Sequence, residues 1–324
     1  PDALFIKSDS GKNIRNKEDE NTSDKDKQII SAVFGTGPKD AVMLGKGVYK
    51  NYGIAESGFN ISSCQFAMHY FFEDDKTLHN FLRNLSECTK VNGYYIGTCY
   101  DGKTVFNLLH NKQKNESISI FKGGHKIYEI TKQYDKTGFP DDELSLGYGI
   151  DIYQESINKL FREYLVNFNY FIQLMEDYGF TLITKDEANH MSLPNNTGLF
   201  SEMFTQMNTE TTMQPNTKSN YRYAANMTTE EKQISFMNRY FVFKKLRSVD
   251  ASKLGEIIGK QNDIIDKVGV ENIQEPPQQK EQVKPTIKKT KKKIVLKQFS
   301  VEQDEPKQTP VVKQPKLRIV GKIE

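Results

Sequence analysis

The sequence contains no tryptophan, only three cysteines, and no apolar run near the ~20 residues that a membrane-spanning helix needs. The three cysteines, Cys64, Cys88 and Cys99, form neither a C-x-x-C pair nor a spacing typical of a zinc site. Nothing resembling a secretory signal precedes them. These absences argue against a disulfide-stapled secreted domain and a zinc-binding module. We therefore expect a soluble protein in a reducing, intracellular compartment.

Positive charge is concentrated at the end of the chain. Residues 275–324 carry 13 Lys and Arg against 6 Asp and Glu, or +7, which leaves −4 on residues 1–274 because the whole chain carries +3. The segment is rich in Lys, Gln and Pro without helical or strand periodicity, which predicts a disordered tail. Its most basic stretch, KKTKKK (Lys288–Lys293), is typical of a solvated linker. The alternative is a segment that binds RNA phosphates electrostatically, independently of the RNA sequence. We expect residues 251–274 to form a helical connector.

The first hundred residues have the pattern of a parallel α/β unit. ALFIK (residues 3–7) predicts a strand, and the polar residues 11–27 predict a flexible excursion. The apolar run FNISSCQFAMHYFF (residues 59–72) predicts a strand buried on both faces. A helix that starts at EDD follows, and then a strand in VNGYYIGTCYDG. This order predicts a right-handed βαβ unit whose ligands bind beyond the strand ends, at QFAMHY and GTCYDG.

The remaining elements are shorter or less regular. Short strands are predicted at SISIF, HKIYEI and YGIDIY, and an apolar stripe over residues 161–175 predicts a longer helix. GFTLITKD predicts a strand, LFSEMFTQM a short helix, and NRYFVFKKL (residues 238–246) the last strand. The chain opens at Pro1 and has its first methionine at Met43, so we expect it to be a piece of a longer protein.

Four of these segments, in order, resemble the mRNA cap guanine-N7 methyltransferases. That family has a strand reading roughly SxQFxxHYxF, a helix containing LRNLS before a strand reading GGYFIGT, a PEYLV element and a closing YxVFxFxK strand. This chain has SSCQFAMHYFF, FLRNLSECTKVNGYYIGT, REYLVNF and RYFVFKK, within residues 3–246. The insertion between Asp9 and Phe59, with VFGTGPKD inside it, is similar to the capping enzymes of large DNA viruses. The resemblance implies an α/β, Rossmann-like class I S-adenosylmethionine-dependent methyltransferase fold over residues 1–250.

One part of the family pattern is absent from the chain. The glycine-rich loop that holds the methyl donor, roughly DLGCGKGGD, has no counterpart, and neither does the acidic residue for the donor ribose. MLGKGVYKNYG (residues 43–53) contains glycines but does not follow a predicted buried strand, so it is interpreted as an ordinary loop. We therefore expect an N-terminally truncated domain whose donor loop lies upstream.

The chemistry that the resemblance implies needs no general base. Guanine N7 is already a nucleophile at neutral pH, and S-adenosylmethionine carries an activated methyl group. The enzyme mainly has to align the reacting atoms and to suit the positive charge that moves onto the purine. The chain shows no Ser/His/Asp, Cys/His or paired-carboxylate signature, which agrees with such positioning catalysis. We expect no catalytic side chain in the narrow sense and no metal.

The resemblance assigns five residues to the cap guanine. His69 and Tyr70 would line the pocket, and Glu163, the glutamate of EYLV, would accept hydrogen bonds from guanine N1 and its exocyclic amine. Tyr240 in the closing strand would stack on the cap or bond to it, and Tyr100 stands where many relatives carry proline. From spacing alone, His69 and Tyr70 are more typical of a packed core and Glu163 of a solvated helix face, whereas Tyr240 is equally typical of an ordinary sheet position.

The resemblance assigns four residues to the methyl donor. Gln65 and Phe66 match the QF pair beside its methionine and adenine portions. Asp9 and Ser10, after ALFIK, are similar to the acidic strand end that meets the adenine. A strand followed by Asp-Ser-Gly is also typical of a plain turn.

The sequence therefore favours an S-adenosylmethionine-dependent mRNA cap guanine-N7 methyltransferase, taken from a multifunctional viral capping enzyme. One alternative is a non-catalytic module that binds RNA or stimulates a capping complex, and another is a methyltransferase with a different substrate. The expected partner is the capped 5′ end of mRNA. Triphosphatase and guanylyltransferase domains are candidate neighbours in the same polypeptide, and no membrane is expected. The expected location is the cytoplasm, a viral factory or the virion, with the nucleus left open.

Overall fold

The structure, a computed structural model, describes residues 3–255. No helix in this part of the chain is long and apolar enough to cross a membrane. Short 3-10 helices lie at Met68–Phe72, Glu143–Ser145 and Pro215–Asn226. The α-helices and strands, numbered in chain order, are α1 (Asp24–Val33), α2 (Ala41–Lys50), β1 (Phe59–Gln65), α3 (Asp75–Cys88), β2 (Thr89–Tyr100), α4 (Gly102–Leu108), β3 (Ser117–Lys122), β4 (His125–Lys132), β5 (Gly149–Gln154), β6 (Lys159–Tyr164), α5 (Phe168–Asp177), β7 (Phe180–Leu182), α6 (Lys185–His190), β8 (Thr197–Leu199), α7 (Phe200–Met213), α8 (Thr229–Ser235) and β9 (Asn238–Lys245).

The larger sheet is mixed, with strand order β1-β2-β9-β7, and β8 also pairs with β9. Strands β1 and β2 are parallel and joined by α3, whose N-cap Asp74 accepts a hydrogen bond from the backbone N–H of Thr77. The final strand β9 runs antiparallel to its neighbours β2 and β7. The predicted βαβ unit and the α/β, Rossmann-like class are thereby confirmed.

The main core lies where α3 and α5 cover one face of this sheet. The apolar residues of α3 recur at helical spacing, so they form one stripe toward the strands. Full burial of each such side chain contributes roughly 1.5–3 kcal/mol. The cluster includes Leu78, Leu82, Tyr95, Phe171, Met175, Phe241 and Phe243, all fully buried.

A second, antiparallel sheet of β3-β4-β5-β6 covers the carboxyl end of β2. Its inner face presents Tyr128, Ile130, Ile150 and Ile152, which pack with Val105 of α4. Tyr100, the last residue of β2, belongs to this second cluster rather than to the main core. The end of β2 is therefore enclosed between the two sheets, and this enclosure positions the site described below.

The strand predictions for β3, β4, β5, β7 and β9 are confirmed, but the N-terminal predictions are partly wrong. Residues 3–7 form no strand, and Phe5 is 85% exposed. Residues 11–27 form turns and the start of α1, and three of them, Asn13, Asp19 and Thr22, are buried. The reason is a set of side-chain hydrogen bonds: Asn84 of α3 donates to the carbonyls of Ser10 and Lys12. The local sequence pattern could not predict these hydrogen bonds, because their partners lie more than 70 positions away in the sequence.

Three further predictions need correction. The run over residues 59–72 is not one strand buried on both faces; β1 ends at Gln65, and Ile61 is 57% exposed because β1 is the outer strand of its sheet in the described part of the chain. Residues 43–53 lie mainly in helix α2 rather than in a loop. The helix predicted over residues 161–175 is strand β6 followed by α5, and Asn167 caps α5 by accepting from the backbone N–H groups of Asn169 and Tyr170.

The connector and the tail lie largely outside the described residues. Helical conformation begins at Ala251 and continues to residue 255, the last one described. The predictions for residues 256–274 and for the basic tail at 275–324 stay predictions.

Candidate active site

A cavity of about 450 Å³ lies at the carboxyl end of β2, between the two sheets. Four of the five residues assigned to guanine line it, together with Phe66 from the donor set. The complete lining is Phe66, His69, Tyr70, Tyr100, Ile152, Gln154, Ile157, Phe161, Glu163, Phe200, Ile234, Ser235 and Asn238. Residues up to 172 positions apart in sequence thus meet around one space of the size of a nucleoside.

His69 and Tyr70 reach the cavity from the short 3-10 helix that follows β1. Met68 and Phe72, which flank them in this turn, are fully buried and anchor it to the main core. The turn is also held by a hydrogen bond from the N–H of Gly147 to the carbonyl of Phe72. The two rings lie edge to face, with centroids 4.3 Å apart. The polar ending of the QFAMHY motif is therefore a rigid, core-anchored turn at the mouth of the cavity.

Glu163 reaches the cavity from strand β6, where it pairs with Ile150 of β5. Alternate residues of a strand point to the same face, so Phe161 and Glu163 both line the cavity, whereas Arg162 points away and pairs with Asp151. Glu163 is only 8% exposed. The prediction of a helix at this segment was wrong, but the strand brings the same glutamate inward.

His69 and Glu163 meet inside the cavity, with Nε2 and Oε1 3.5 Å apart. Burial lowers the pKa of His69 to about 4 and raises the pKa of Glu163 to about 7. The contact is longer than a hydrogen bond, so burial outweighs the attraction and both groups are shifted toward their neutral forms. Both ring nitrogens of His69 and Oε2 of Glu163 are buried without a hydrogen-bond partner. Unmet polar atoms of this kind are typical of a site that a polar ligand completes.

Tyr100 forms the inner wall of the cavity. Its hydroxyl accepts a hydrogen bond from the hydroxyl of Tyr128 at 3.1 Å, and its ring centroid lies 6.2 Å from that of His69 at a 31° tilt. Burial raises the pKa of Tyr100, so the phenol stays protonated. Tyr100 thus offers an aromatic surface to the cavity.

Tyr240, the fifth residue assigned to guanine, lies outside this cavity. Its hydroxyl accepts from the N–H of Asn195 and donates to the carbonyl of the same residue. Two positions earlier on β9, Asn238 lines the cavity instead and is 6% exposed. The Asn238 side-chain amide donates to the carbonyls of Ile234 and Ser235, while its Oδ1 is buried without a partner.

The donor-side residues are not gathered in one place. Gln65 lies at the end of β1, where its Oε1 accepts from the Thr98 hydroxyl at 2.9 Å. Phe66 follows it with φ of 51°, a left-handed conformation that is strained for an aromatic residue, and contacts Phe200 edge-on. Phe66 is therefore the residue at which the guanine cavity and the end of β1 adjoin.

Asp9 and Ser10 lie beside α3. The N–H of Asp9 donates to Asp19, and the carbonyl of Ser10 accepts from Asn84. The Asp9 side chain accepts from the N–H of Gly11, which is the plain turn that its sequence also predicted.

Sequence reasoning missed the lining residues Asn238, Phe200 and Gln154. Asn238 begins the NRYFVFKK strand, and alternation along this strand places it on the same face as Tyr240. That alternation was the available signal. The missing information was the register of β9 on β2, which places Asn238 opposite Tyr100 and Tyr240 opposite Thr98. Within the described residues, no group of His, Cys, Asp and Glu could hold a metal ion.

Comparison with known proteins gives a family match over most of the chain. The model of the mRNA (guanine-N(7))-methyltransferase domain matches residues 7–246. The probable mRNA-capping enzyme of Acanthamoeba polyphaga mimivirus is 27% identical over 226 residues, which are 64% of this chain and 19% of that protein. The mRNA cap guanine-N(7) methyltransferase of Debaryomyces hansenii is 28% identical over 179 residues, which are 51% of this chain and 32% of that protein.

The chain thus spans less than two thirds of the length of these relatives. Among solved structures, the CcbJ methyltransferase of Streptomyces caelestis is 8% identical with a TM-score of 0.31, and the match covers 59% of this chain and 59% of that one.

Proposed function

The chain belongs to the mRNA (guanine-N(7))-methyltransferase family, and on that premise we propose that its cavity holds the guanine of an mRNA cap during methyl transfer to N7. The observation that carries the proposal is the convergence of His69 and Glu163, from separate elements, on one cavity with unmet polar atoms. S-adenosylmethionine is the methyl donor of this family and supplies an activated methyl group.

The polar atoms of the cavity match the hydrogen-bonding edge of guanine. Glu163 accepts from the N1–H and the exocyclic amine, which are both donors. The neutral imidazole of His69 offers one N–H donor, which suits guanine O6. Adenine presents an acceptor at N1 and an amine at the position of O6, so the same two groups would meet it with mismatched partners. Leaving buried polar groups unpaired is the main way in which such a site rejects the wrong base.

The aromatic walls suit the change in charge during the reaction. Transfer of a methyl group to N7 makes the purine cationic, and Tyr70 and Tyr100 offer ring surfaces that attract a cation. The Glu163 carboxylate, at the Watson–Crick edge of the base, attracts the same positive charge. These interactions are stronger with the methylated than with the unmethylated base, which is the condition for stabilising the transition state.

The methyl transfer itself needs alignment and no proton removal. The N7 lone pair forms a bond to the methyl carbon while the carbon–sulfur bond breaks and its electron pair stays on sulfur. The chain's part is to hold the base with N7 toward the donor, and Phe66 and Gln65 lie on that side at the end of β1. Their chemistry, an aromatic ring and an amide fixed by Thr98, fits the apolar and polar portions of the donor.

The test is base-specific binding followed by transfer. Calorimetry with the 324-residue chain should show binding of GTP and GpppG but not of ATP, and Glu163→Ala should abolish the preference. Methylation of GpppG-capped RNA should then be measured with the polypeptide in which this chain occurs. Binding without transfer in that polypeptide would support a non-catalytic cap-binding module, and equal binding of GTP and ATP would overturn the proposal.

We extend the proposal to the setting of the domain. The mimivirus relative is named a probable mRNA-capping enzyme, and this chain matches only 19% of it. A parent polypeptide with further capping domains is therefore a consistent setting, with the capped 5′ end of mRNA as substrate. Sequencing the reading frame upstream of Pro1 and assaying triphosphatase and guanylyltransferase activities would test this setting.

A further inference from the structure

An ion pair between a buried aspartate and a partly buried arginine lies directly behind the cavity without lining it. Asp101, the residue after β2, is 5% exposed, and its Oδ2 accepts from Nε of Arg239 on β9 at 2.7 Å. Neither residue lines the cavity, but each adjoins one that does: Tyr100 precedes Asp101, and Asn238 precedes Arg239. Tyr100 and Asn238 are also paired opposite each other in the β2–β9 ladder.

The Asp101 carboxylate divides its two oxygens between two elements. Oδ1 accepts hydrogen bonds from the backbone N–H and the hydroxyl of Thr104, so Asp101 is the N-cap of α4. Oδ2 accepts a hydrogen bond from Arg239. The N–H of Asp101 also donates to the carbonyl of Met237 at 2.8 Å. Burial opposes ionisation of Asp101, but the Thr104 bonds and the Arg239 charge together keep its pKa below the usual value. The carboxylate thus ties the end of β2 to the start of β9.

Arg239 is itself held from three directions. Besides Asp101, its Nη1 donates to the Thr197 hydroxyl of β8 at 3.2 Å, and its guanidinium lies 4.8 Å over the ring of Phe168. Alternation along β9 puts Arg239 on the opposite face from Asn238. A planar guanidinium with partners on separate elements fixes one backbone geometry, because its donors are rigidly arranged.

From this arrangement we infer that the Asp101–Arg239 ion pair is a positioning device that sets the spacing of Tyr100 and Asn238, and thereby the fit of the guanine base. The inference rests on the proposed function, since it concerns the same cavity. A simpler structural role would make the pair stabilise the sheet without affecting the base. The two roles differ in what happens when both charges are removed together.

The variants can be matched closely. Asp101→Asn keeps an N-cap for α4 but removes the charge, because asparagine caps helices as well as aspartate does. Arg239→Met keeps an unbranched apolar side chain and removes the guanidinium. Lys244→Met is the control: Lys244 lies on the same strand, forms an ion pair with Glu187 at 2.6 Å, and is 25% exposed against 21% for Arg239.

The readouts are the dissociation constant for GTP and the melting temperature. We expect each single variant to weaken GTP binding roughly tenfold, while Lys244→Met changes it less than about twofold. Arg239→Met also leaves the buried charge of Asp101 unpaired and so lowers the melting temperature. The double variant Asp101→Asn/Arg239→Met has no unpaired charge, so its melting temperature recovers. The spacing of Tyr100 and Asn238 is still not fixed, so GTP binding stays weak.

Binding that recovers together with stability in the double variant would overturn the inference and leave a structural ion pair. Unchanged GTP affinity in Arg239→Met would overturn it as well. If the unaltered chain binds no guanine nucleotide, the proposed function fails. The positioning claim is then decided by a crystal structure of Arg239→Met, in which a displaced Tyr100 ring supports it and an unchanged cavity wall refutes it.

Discussion

The two halves of the proposed site differ in how far the described chain encloses them. On the guanine side, His69 is 2% exposed and Glu163 is 8% exposed, and both come from elements anchored in a core. On the donor side, Phe66 is 52% exposed, and Gln65 and Asp9 are also exposed. Residues from separate elements, from the turn after β1 to β9, line the cavity proposed for guanine. Gln65 and Asp9 of the donor set lie instead at the end of the outer strand β1 and beside α3. The base therefore has a preformed pocket, and substitutions should affect the two sides very differently.

The largest expected effect is loss of guanine binding on the guanine side. Glu163→Ala removes the only carboxylate among the described residues that line the cavity. It should weaken GTP binding roughly hundredfold, because hydrogen bonds to a charged group contribute roughly 1.5–3 kcal/mol each. Calorimetry measures the change. Glu163→Gln keeps an acceptor oxygen and should lose less, so equal effects of the two variants would contradict the assigned role.

A smaller effect is expected from pH alone. Because burial raises the pKa of Glu163 to about 7, the accepting carboxylate is scarce at pH 6 and dominant at pH 8. GTP affinity should therefore rise roughly tenfold between these pH values, following the ionised fraction. His69 stays neutral over this range, since its pKa is lowered to about 4. A pH-independent affinity, or the same rise in Glu163→Gln, would contradict this prediction.

The same burial predicts a gain in stability when the charge is removed. The folded-state pKa of Glu163 lies above its value of 4.5 in the unfolded chain, so the glutamate destabilises the fold as pH rises from about 4.5 through 7. At pH 8, Glu163→Gln should raise the free energy of unfolding by roughly 3 kcal/mol, and the gain should vanish near pH 4. Urea unfolding at both pH values measures it. A variant that is less stable than the unaltered chain at pH 8 would show that Glu163 is paired rather than desolvated.

The smallest effect is expected on the donor side. Gln65→Ala removes a side chain that is exposed and bonded only to Ser63 and Thr98 among the described residues. GTP affinity of the chain should change less than about twofold, as is usual for surface substitutions. Methyl transfer by the parent polypeptide should fall, with a raised KM for the donor. A loss of guanine affinity comparable to that of Glu163→Ala would erase the distinction between the two sides.

Local pattern predicted most of the elements that build the sheets. Helix α3 has an acidic N-cap and a continuous apolar stripe, and β9 combines aromatic and β-branched residues, so both are marked by their own residues. The boundary between β6 and α5 was missed because the apolar residues from Phe161 to Met175 fit a helical stripe. Only the Asn167 cap and the pairing of β6 with β5 separate the two elements.

The sequence likewise identified some of the residues that line the cavity and missed others. Four residues assigned from the motif, His69, Tyr70, Tyr100 and Glu163, line one cavity, and their assignment to guanine stays a prediction. The motif named Tyr240 because the aromatic residue matched the family strand, while the fold turns Tyr240 toward Asn195 and Asn238 lines the cavity instead. Register between β2 and β9 decides this choice, and register arises from pairing between residues about 140 positions apart.

The sequence by itself determined the family motifs, the βαβ order and the residue types that guanine needs. Only the tertiary structure decided that Glu163 is desolvated, that Asn238 lines the cavity and that Asp101 and Arg239 meet behind it. The physical reason is that burial, pKa and hydrogen-bond partners depend on what packs against a residue. Here the second sheet, α8 and β9 supply that packing from distant parts of the chain.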